Sequence, residues 1–253
     1  MKSSRSCVCV IPARYGSKRL PGKPLATIRG IPLVIWVYNR VAESGVFDDV
    51  VVATDDTRIR DTVRRHGGKA IMTSKKHATG TDRVLEAVGK LRCRHVVNVQ
   101  GDEPQIPIGV LKDFSRHLRR IDDHTLLTCA TNATIDEMDD PDVVKVVLAG
   151  NGDALYFSRS AIPYRRSGGT KPGYKHIGIY GFTRSGLRRF CRLPRSVLEQ
   201  TEKLEQLRAL EGGMRVRCLV RRYRSIGIDT KEDLAAFRRL VGGRKGARRG
   251  KTP

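Results

Sequence analysis

Aromatic and acidic side chains are both scarce in this sequence. Phe, Trp and Tyr make up only 6% of the 253 residues, and 26 Asp and Glu stand against 49 Lys and Arg, a formal charge of +23. Glycine, proline and cysteine, at 25, 11 and 6 residues, are too few for a collagen-like chain, a disordered chain or a disulfide scaffold. The cysteines form no CxxC pair, so neither a zinc site nor a catalytic thiol is predicted.

Long apolar runs are also lacking. No stretch of ~18 consecutive apolar residues occurs, so no membrane span is predicted. The first nine residues lack the long apolar core of a signal peptide. Together with the scattered cysteines, these features favour the reducing cytoplasm as the location. The length suits one α/β domain or two small ones, and it is sufficient to bury a core.

The positive charge is concentrated in the second part of the chain. Residues 1–158 carry a net +5 (24 basic, 19 acidic), and residues 159–253 carry +18 (25 basic, 7 acidic). Glycine and basic residues dominate the last positions, which predicts a basic, disordered tail over 241–253. A nucleic-acid-binding protein would interleave aromatic residues with its cations or show a known module, and neither is present. We therefore expect no nucleic-acid partner beyond nonspecific, salt-sensitive binding by the tail.

Strand and helix patterns alternate over the first 105 residues. Short β-branched runs predict strands, and apolar residues at helical spacing predict helices. The predicted strands cover 6–12, 49–54, 70–72 and 95–99, and the predicted helices cover 31–43, 57–66 and 82–91. This alternation is typical of an α/β fold with a doubly wound, mainly parallel sheet.

The pattern becomes mixed after residue 105. Helices are predicted over 108–120, 199–209 and 231–240, strands over 125–130 and 176–182, and a hairpin of 143–148 with 154–158. Neither an internal repeat nor a linker interrupts the chain. We therefore expect a single domain over 1–240 that carries a mixed or antiparallel insertion.

Three loops leave the carboxyl ends of predicted strands, where parallel sheets bind their ligands. They cover 13–24, 55–56 and 100–104. The first loop contains Gly16 and Gly22 and four cations: Arg14, Lys18, Arg19 and Lys23. Backbone N–H groups and several positive side chains are what a triphosphate requires, although a basic loop can also be merely solvated. The loop matches neither the P-loop pattern nor GxGxxG.

Two acidic positions complete the candidate chemistry. The pair at 102–103 follows a predicted strand beside a glycine, where it could bind Mg²⁺ or simply form a turn. Asp229 follows a short apolar strand pattern and precedes a helix, so it could supply a second carboxylate to a metal site. Its neighbours Thr230 and Asp233 have the spacing of a helix capping box.

Seven segments carry a resemblance to a known family. In chain order they read IPARYGSKRLPGKPL, MTSKKHATGTDR, VNVQGDEPQI, ALYFSRSAIPY, KHIGIYGF, EKLEQLRALEGG and IGIDTKEDL. This order resembles the 3-deoxy-manno-octulosonate (Kdo) cytidylyltransferase family, the CMP-Kdo synthetases, from about residue 7 to residue 240. The first and third segments are typical of sugar-acid nucleotidyltransferases, and KHIGIYGF and EKLEQLR favour the Kdo branch. The Arg- and Gly-rich stretch at 165–174 and the basic tail depart from the family pattern.

The resemblance implies a Rossmann-like nucleotidyltransferase fold and a set of site residues. The residues expected to bind the nucleotide are Ala13, Arg14, Arg19, Lys23, Thr79, Gly80 and Arg83. Those expected to bind the acceptor are Gln100, Arg159, His176, Tyr180, Glu205 and Gln206. Asp102 and Asp229 are expected to bind Mg²⁺, and Asp102, Lys23, Arg19 and Asp229 are expected to be catalytic. From local sequence alone, the acceptor residues are equally typical of strand, core or helix-surface positions.

The resemblance also implies a reaction and an organisation. A hydroxyl of the sugar acid Kdo attacks the α-phosphorus of CTP and releases pyrophosphate. The nucleotide-binding part covers about 6–105, and the part for acceptor binding and homodimerisation covers about 106–240. Two alternatives remain open for the acceptor, a phosphonate and an amino-Kdo sugar, because both are anionic like Kdo.

Overall fold

Short β-branched runs and amphipathic segments form the elements of this protein. The computed structural model describes residues 6–17, 19–164, 166, 173–223 and 227–242. The strands are β1 Cys7–Ala13, β2 Thr27–Ile28, β3 Ile31–Pro32, β4 Asp49–Thr54, β5 Lys69–Met72, β6 His95–Val99, β7 Thr125–Asn132, β8 Lys145–Leu148, β9 Ala154–Ser158, β10 Tyr174–Thr183 and β11 Arg215–Val220. The helices are α1 Leu33–Ala42, α2 Thr57–Arg65, α3 Gly80–Gly89, α4 Ile108–Leu118, α5 Ile135–Asp139, α6 Arg184–Arg192, α7 Val197–Glu202, α8 Gln206–Glu211 and α9 Lys231–Gly242.

The main sheet has the strand order β11-β7-β10-β6-β1-β4-β5. Its strands are parallel except for β10, which is antiparallel to both of its neighbours, β6 and β7. The predicted hairpin is present as β8 and β9, and β8 attaches it to β10. The predicted α/β fold, mainly parallel with an antiparallel insertion, is therefore confirmed.

The central strand β1 is buried on both faces. Cys9 and Ile11 point into one apolar cluster, with α1, α2, α4 and α9, while Val8 and Val10 point into the other, with α3, α6 and α8. Helices on both faces explain why this strand is an unbroken apolar run instead of an alternating one. None of the described helices has the length and apolar composition that crossing a bilayer requires.

Neighbouring parallel strands bring the three predicted loops to one edge of the sheet. β1 lies between β4 and β6, so their carboxyl ends are adjacent. Gly101, just after β6, approaches β1 closely, because a Cβ at this position would lie 3.1 Å from the carbonyl oxygen of Pro12. A larger residue would push the acidic loop away from the basic loop.

The prediction of a single helix over 199–209 is wrong. The chain forms α7 and α8 instead, because Lys203 adopts a left-handed conformation with φ 56° and ends α7. Leu204 then turns into the core, where only 6% of its surface stays exposed. This turn points Glu205 toward the amino end of α3.

Other differences concern elements whose sequence signals were weak. α5, α6 and β11 were not predicted, although Arg215 and Arg217 alternate with buried residues along β11. The strand predicted before Asp229 is not formed at 227–229. The predicted tail lies outside the described residues from position 243 onward, and so does most of the 165–174 stretch.

Candidate active site

A cleft of about 720 Å³ lies at the carboxyl edge of the sheet. Its walls come from the basic loop, the start of α3, the loop after β6, the α7–α8 segment and the loop before α9. Eleven of the predicted site residues line it: Ala13, Arg14, Arg19, Lys23, Thr79, Gly80, Arg83, Gln100, Asp102, Glu205 and Asp229. The other four, Arg159, His176, Tyr180 and Gln206, lie outside this lining.

The basic loop is closed on itself by Tyr15. The carbonyl oxygen of Tyr15 accepts hydrogen bonds from the backbone N–H of Ser17 (2.9 Å) and of Gly22 (3.2 Å). Gly22 has φ 69°, and a Cβ there would lie 3.3 Å from the Tyr15 ring. The guanidinium of Arg58 lies over the same ring, 3.5 Å from its centroid. These contacts fix the conformation of the loop up to the short 3₁₀ turn that begins at Lys23.

Lys23 joins the two predicted metal-binding carboxylates. Its Nζ donates hydrogen bonds to Asp102 Oδ2 (2.8 Å) and Asp229 Oδ1 (2.9 Å). Burial alone would lower the pKa of Lys23, but the two carboxylates outweigh burial and raise that pKa above its ordinary value. Arg19 contacts the other oxygen of Asp229 at 2.9 Å. The cluster therefore balances two anions with two cations at the cleft wall.

Backbone contacts keep the two carboxylates together. The N–H of Ile228 donates to the carbonyl oxygen of Asp102 at 3.0 Å, which ties the loop before α9 to the loop after β6. The predicted capping box is present, since Thr230 Oγ1 accepts from the N–H of Asp233 and the Asp233 carboxylate accepts from the N–H of Thr230. Asp233 also accepts from the N–H of Asp229, which fixes the backbone that carries this carboxylate.

The donor set at Asp102 and Asp229 suits Mg²⁺. Both carboxylates lie within 2.9 Å of one cationic nitrogen, so their oxygens already surround a position that a cation can occupy. Mg²⁺ is usually held by one or two carboxylates together with substrate phosphates and water. Among the described residues, no group of three or more His, Cys, Asp or Glu is placed to hold a metal. The pair therefore fits an ion shared with a bound nucleotide better than an all-protein cage.

The amino end of α3 forms the opposite wall. Thr79 and Asp82 make a capping box there, and Thr79 and Gly80 line the cleft. Arg83 is 3% exposed, and its Nη2 donates to Asp55 Oδ2 at 2.7 Å while Nη1 donates to Thr73 Oγ1 at 2.5 Å. Arg83 thus links the loops after β4 and β5 beneath the wall.

The α7–α8 segment contributes a buried ion pair next to the cleft. Arg208 donates to both oxygens of Glu199, at 2.7 and 2.5 Å, and the two side chains are only 5% and 9% exposed. Burial raises the pKa of the neighbouring Glu205, while the Thr81 hydroxyl and the charge of Arg208 oppose that increase. The pair therefore stabilises the segment that carries Glu205.

Replacing Arg208 by Met should lower the free energy of unfolding by about 3 kcal/mol, because Glu199 would remain buried without its partner. Urea denaturation measures this loss. The same substitution at Arg217, whose partner Asp153 lies in a half-exposed pair, should cost less than about 1 kcal/mol. Equal losses in the two variants would contradict a special role of the buried pair.

The four predicted residues outside the lining are held by partners behind or beside the cleft. Arg159 donates to the carbonyl oxygens of Glu202 (2.9 Å) and Pro141 (3.0 Å). Tyr180 donates its hydroxyl hydrogen to Gln206 Oε1 at 3.1 Å, which leaves Gln206 Nε2 buried with no hydrogen-bond partner among the described residues. Gln206 is only 2% exposed and lies outside the cleft lining, so a ligand in the cleft does not reach this nitrogen.

His176 is partly buried next to Tyr180, and its ring lies against the rings of Phe157 and Tyr180. Its Nε2 lies 2.8 Å from Thr128 Oγ1, and the hydroxyl hydrogen of Thr128 is already donated to the carbonyl oxygen of Ile179. The imidazole is therefore the donor to Thr128. Burial lowers the pKa of His176 to about 3, so the ring is neutral at physiological pH.

This low pKa predicts a loss of stability in mild acid. Below pH ~6.5 the unfolded chain protonates this imidazole, while the folded chain keeps it neutral down to a pH of about 3, so folding weakens as the pH falls between these values. From pH 7 to pH 5 the loss should be about 2 kcal/mol. Urea denaturation should show a smaller loss for His176→Gln. Equal losses in both proteins would contradict a buried neutral His176.

The cleft also includes residues that sequence reasoning did not single out. The α7–α8 segment adds Arg195, Glu199, Gln200 and Lys203 to the lining. Arg195 and Lys203 are exposed cations at either end of α7. No local signal marks them, because their position depends on the turn at Lys203 and on the packing of Leu204.

A parallel sheet with a basic loop, a helix amino end and two carboxylates at its carboxyl edge defines a nucleotide-binding α/β protein. The sequence profile of the cytidylyltransferase family matches residues 8–216. The chain therefore belongs to the cytidylyltransferase family, and it is a nucleotidyltransferase enzyme.

Relatives and a solved structure agree with this family. The chain is 47% identical over 241 residues to the 3-deoxy-manno-octulosonate cytidylyltransferase of Thermodesulfovibrio yellowstonii, covering 90% of this chain and 94% of the relative. It is 45% identical over 232 residues to the 8-amino-3,8-dideoxy-manno-octulosonate cytidylyltransferase of Shewanella baltica, covering 89% and 94%. A structure of CMP:2-keto-3-deoxy-manno-octonic acid synthetase complexed with CTP superposes with a TM-score of 0.89 at 40% identity, covering 94% of this chain and 99% of the other.

Proposed function

We propose that this enzyme transfers CMP from CTP to Kdo and releases pyrophosphate. One observation carries the proposal: Lys23 and Arg19 of the basic loop meet Asp102 and Asp229 in a cleft large enough for a nucleotide and a small acid. A hydroxyl oxygen of the acceptor forms a bond to the α-phosphorus, and the bond from that phosphorus to the bridging oxygen breaks. Pyrophosphate leaves with the electron pair, and the hydroxyl proton is released.

The residues of the basic loop neutralise charge in this reaction. Arg14, Arg19 and Lys23 line the cleft and would bind the phosphates of CTP, including the departing pyrophosphate. Displacement at phosphorus depends mainly on positioning and on stabilising spread charge, which fixed cations supply. Thr79 and Gly80 at the start of α3 also line the cleft, where the amino end of the helix favours a phosphate, and Arg83 holds the loops beneath it.

Asp102 and Asp229 are the residues that would hold Mg²⁺. When bound, the ion orients the phosphates and makes the acceptor hydroxyl more acidic. The contribution of the chain is to keep the two carboxylates next to each other, through Lys23 and through the Ile228 to Asp102 backbone contact.

The acceptor would lie against the α7–α8 wall. Gln100 and Glu205 line the cleft, and behind it Tyr180 donates to Gln206 and packs its ring against that of His176. Arg159 is held nearby by Glu202, the last residue of α7, and is the candidate partner of the acceptor carboxylate.

Two acceptors compete, since the curated relatives include enzymes named for Kdo and for its 8-amino analogue. We favour Kdo because two exposed cations, Arg195 and Lys203, line the cleft and would repel an ammonium group. A pyrophosphate-release assay should give at least a ~10-fold higher kcat/KM for Kdo than for the 8-amino sugar. A preference for the amino sugar, or for a phosphonate, would replace the proposed acceptor.

The organisation of the chain into two parts and a homodimer is a separate proposal. We infer a nucleotide-binding part at about 6–105 and an acceptor-binding part at about 106–240, which also forms a homodimer. Among the described strands, β9 pairs with β8 alone, and it exposes 61% of Leu155, so it offers an edge for a second copy. Light scattering on the purified protein tests the dimer.

All six cysteines are free, which suits the cytoplasm.

A further inference from the structure

A row of hydrogen-bonded side chains runs beneath the cleft from β6 to α8. Gln100 Nε2 donates to Asn98 Oδ1 (3.4 Å), and Asn98 Nδ2 donates to Thr81 Oγ1 (3.3 Å). Thr81 Oγ1 donates in turn to Glu205 Oε1 in a short contact. Asn98 is 0% exposed and Thr81 is 1% exposed, so the two middle members are out of reach of a ligand. Gln100 and Glu205, at the ends of the row, both line the cleft.

The donors in this row are assigned from its Glu205 end, with Glu205 taken as a carboxylate. A carboxylate only accepts hydrogen bonds, so the single hydrogen of the Thr81 hydroxyl goes to Glu205. The oxygen of Thr81 must then accept from the amide nitrogen of Asn98. The carbonyl oxygen of Asn98 is left for Gln100, whose amide nitrogen donates to it.

A second contact limits the freedom of Gln100. Gly178 on β10 lies beside it, and a Cβ on this glycine would lie 3.3 Å from Gln100 Cγ. The side chain is therefore confined between Asn98 and β10. Since its Nε2 end is held by Asn98, the Oε1 end remains for a ligand in the cleft.

We propose that Asn98 and Thr81 are positioning residues that link Gln100 to Glu205, fix the orientation of the Gln100 amide and hold its Oε1 toward the cleft. Gln100 Oε1 then accepts a hydrogen bond from a hydroxyl group of the sugar acid. The row therefore favours substrates that carry a hydroxyl group at this position. This inference rests on the proposed function for the identity of the acceptor. The row itself depends only on the contacts among its four members.

The first experiment compares two substitutions of the same hydroxyl. Thr81→Val keeps the shape of the side chain and removes the hydroxyl, while Thr81→Ser keeps the hydroxyl. With Thr81→Val, the KM for the acceptor should rise about 10-fold and the KM for CTP should change less than about twofold. Thr81→Ser should keep both values within about twofold of wild type. A role in shaping α3 alone would instead raise the KM for CTP, since the start of α3 lines the cleft.

The second experiment tests whether Asn98 acts through Gln100. Asn98→Leu should raise the KM for the acceptor about 10-fold in the wild-type background and less than about twofold in Gln100→Met. Equal factors in both backgrounds would overturn the proposal, and so would a Thr81→Ser protein that behaves like Thr81→Val. Thermal unfolding of each variant with and without CTP shows that it is folded.

A measurement without turnover separates this inference from the proposed function. The side-chain amide signals of Gln100 in an NMR spectrum should shift in Thr81→Val and stay in place in Thr81→Ser. If the signals shift in Thr81→Val but not in Thr81→Ser, while the wild-type enzyme uses no sugar acid, the proposed acceptor is wrong and the positioning role of the row is supported. If Kdo turns over and these signals do not respond, the function stands and the row is wrong.

Discussion

Asp102→Asn should lower kcat at least ~10³-fold while the thermal stability stays close to that of wild type. The substitution keeps the shape of the side chain and removes the negative charge that faces Lys23 Nζ at 2.8 Å. The backbone contact from Ile228 uses the carbonyl oxygen of Asp102, so the loop remains tied. Asp102 is one of the two carboxylates that would hold Mg²⁺, and an amide is a weaker ligand for this ion, so the variant would lose stabilisation of the charge on the reacting phosphate. Steady-state kinetics and thermal unfolding measure the two effects.

Asp142 offers a matched control for this variant. It is an exposed carboxylate that meets Arg19 only at 3.8 Å, outside the cleft lining. Asp142→Asn also replaces a carboxylate by an amide and removes one negative charge, but it should leave kcat within about twofold of wild type. If Asp102→Asn keeps a near-normal rate, Asp102 has no part in the mechanism.

The second large effect is expected for Lys23→Met. This change should lower kcat/KM for CTP by about 10²–10³-fold, because it removes a cation that the phosphates would meet and leaves Asp102 and Asp229 facing each other. The negative charge of the two carboxylates would then repel the incoming triphosphate. A titration of CTP against the variant, followed by initial rates, separates weaker binding from slower chemistry.

Lys69 provides the control, since it forms an exposed ion pair with Asp49 and lies away from the cleft lining. Lys69→Met should change kcat/KM by less than about twofold. If Lys23→Met had no larger effect than this control, Lys23 would be only a structural link between two loops.

Much of the fold follows from local sequence. The buried runs of β1, β4 and β6 are short and β-branched, and their carboxyl ends are adjacent because parallel strands align. The loops after these strands therefore come together, which explains why Lys23 and Asp102 could be expected in one place from their positions in the sequence. The capping box at Thr230 also needed only local spacing.

The acceptor side could not be predicted in the same way. The residues 199–209 favour one continuous helix by propensity, but the chain turns at Lys203 and Leu204 enters the core. That turn places Glu205 at Thr81, far away in the sequence, and it brings Lys203 to the cleft. Contacts of this kind depend on tertiary packing, so local pattern carries no signal for them.

The measurement that tests the central claim most directly is the ³¹P NMR spectrum of the wild-type enzyme with CTP, Kdo and Mg²⁺. The account predicts that the three signals of CTP disappear and that pyrophosphate and a new phosphodiester of CMP and Kdo appear in equal amounts. Asp102→Asn should leave the CTP signals unchanged over the same time. Release of phosphate without a CMP–Kdo linkage, or a spectrum of intact CTP with wild type, would contradict cytidylyl transfer to Kdo in this cleft.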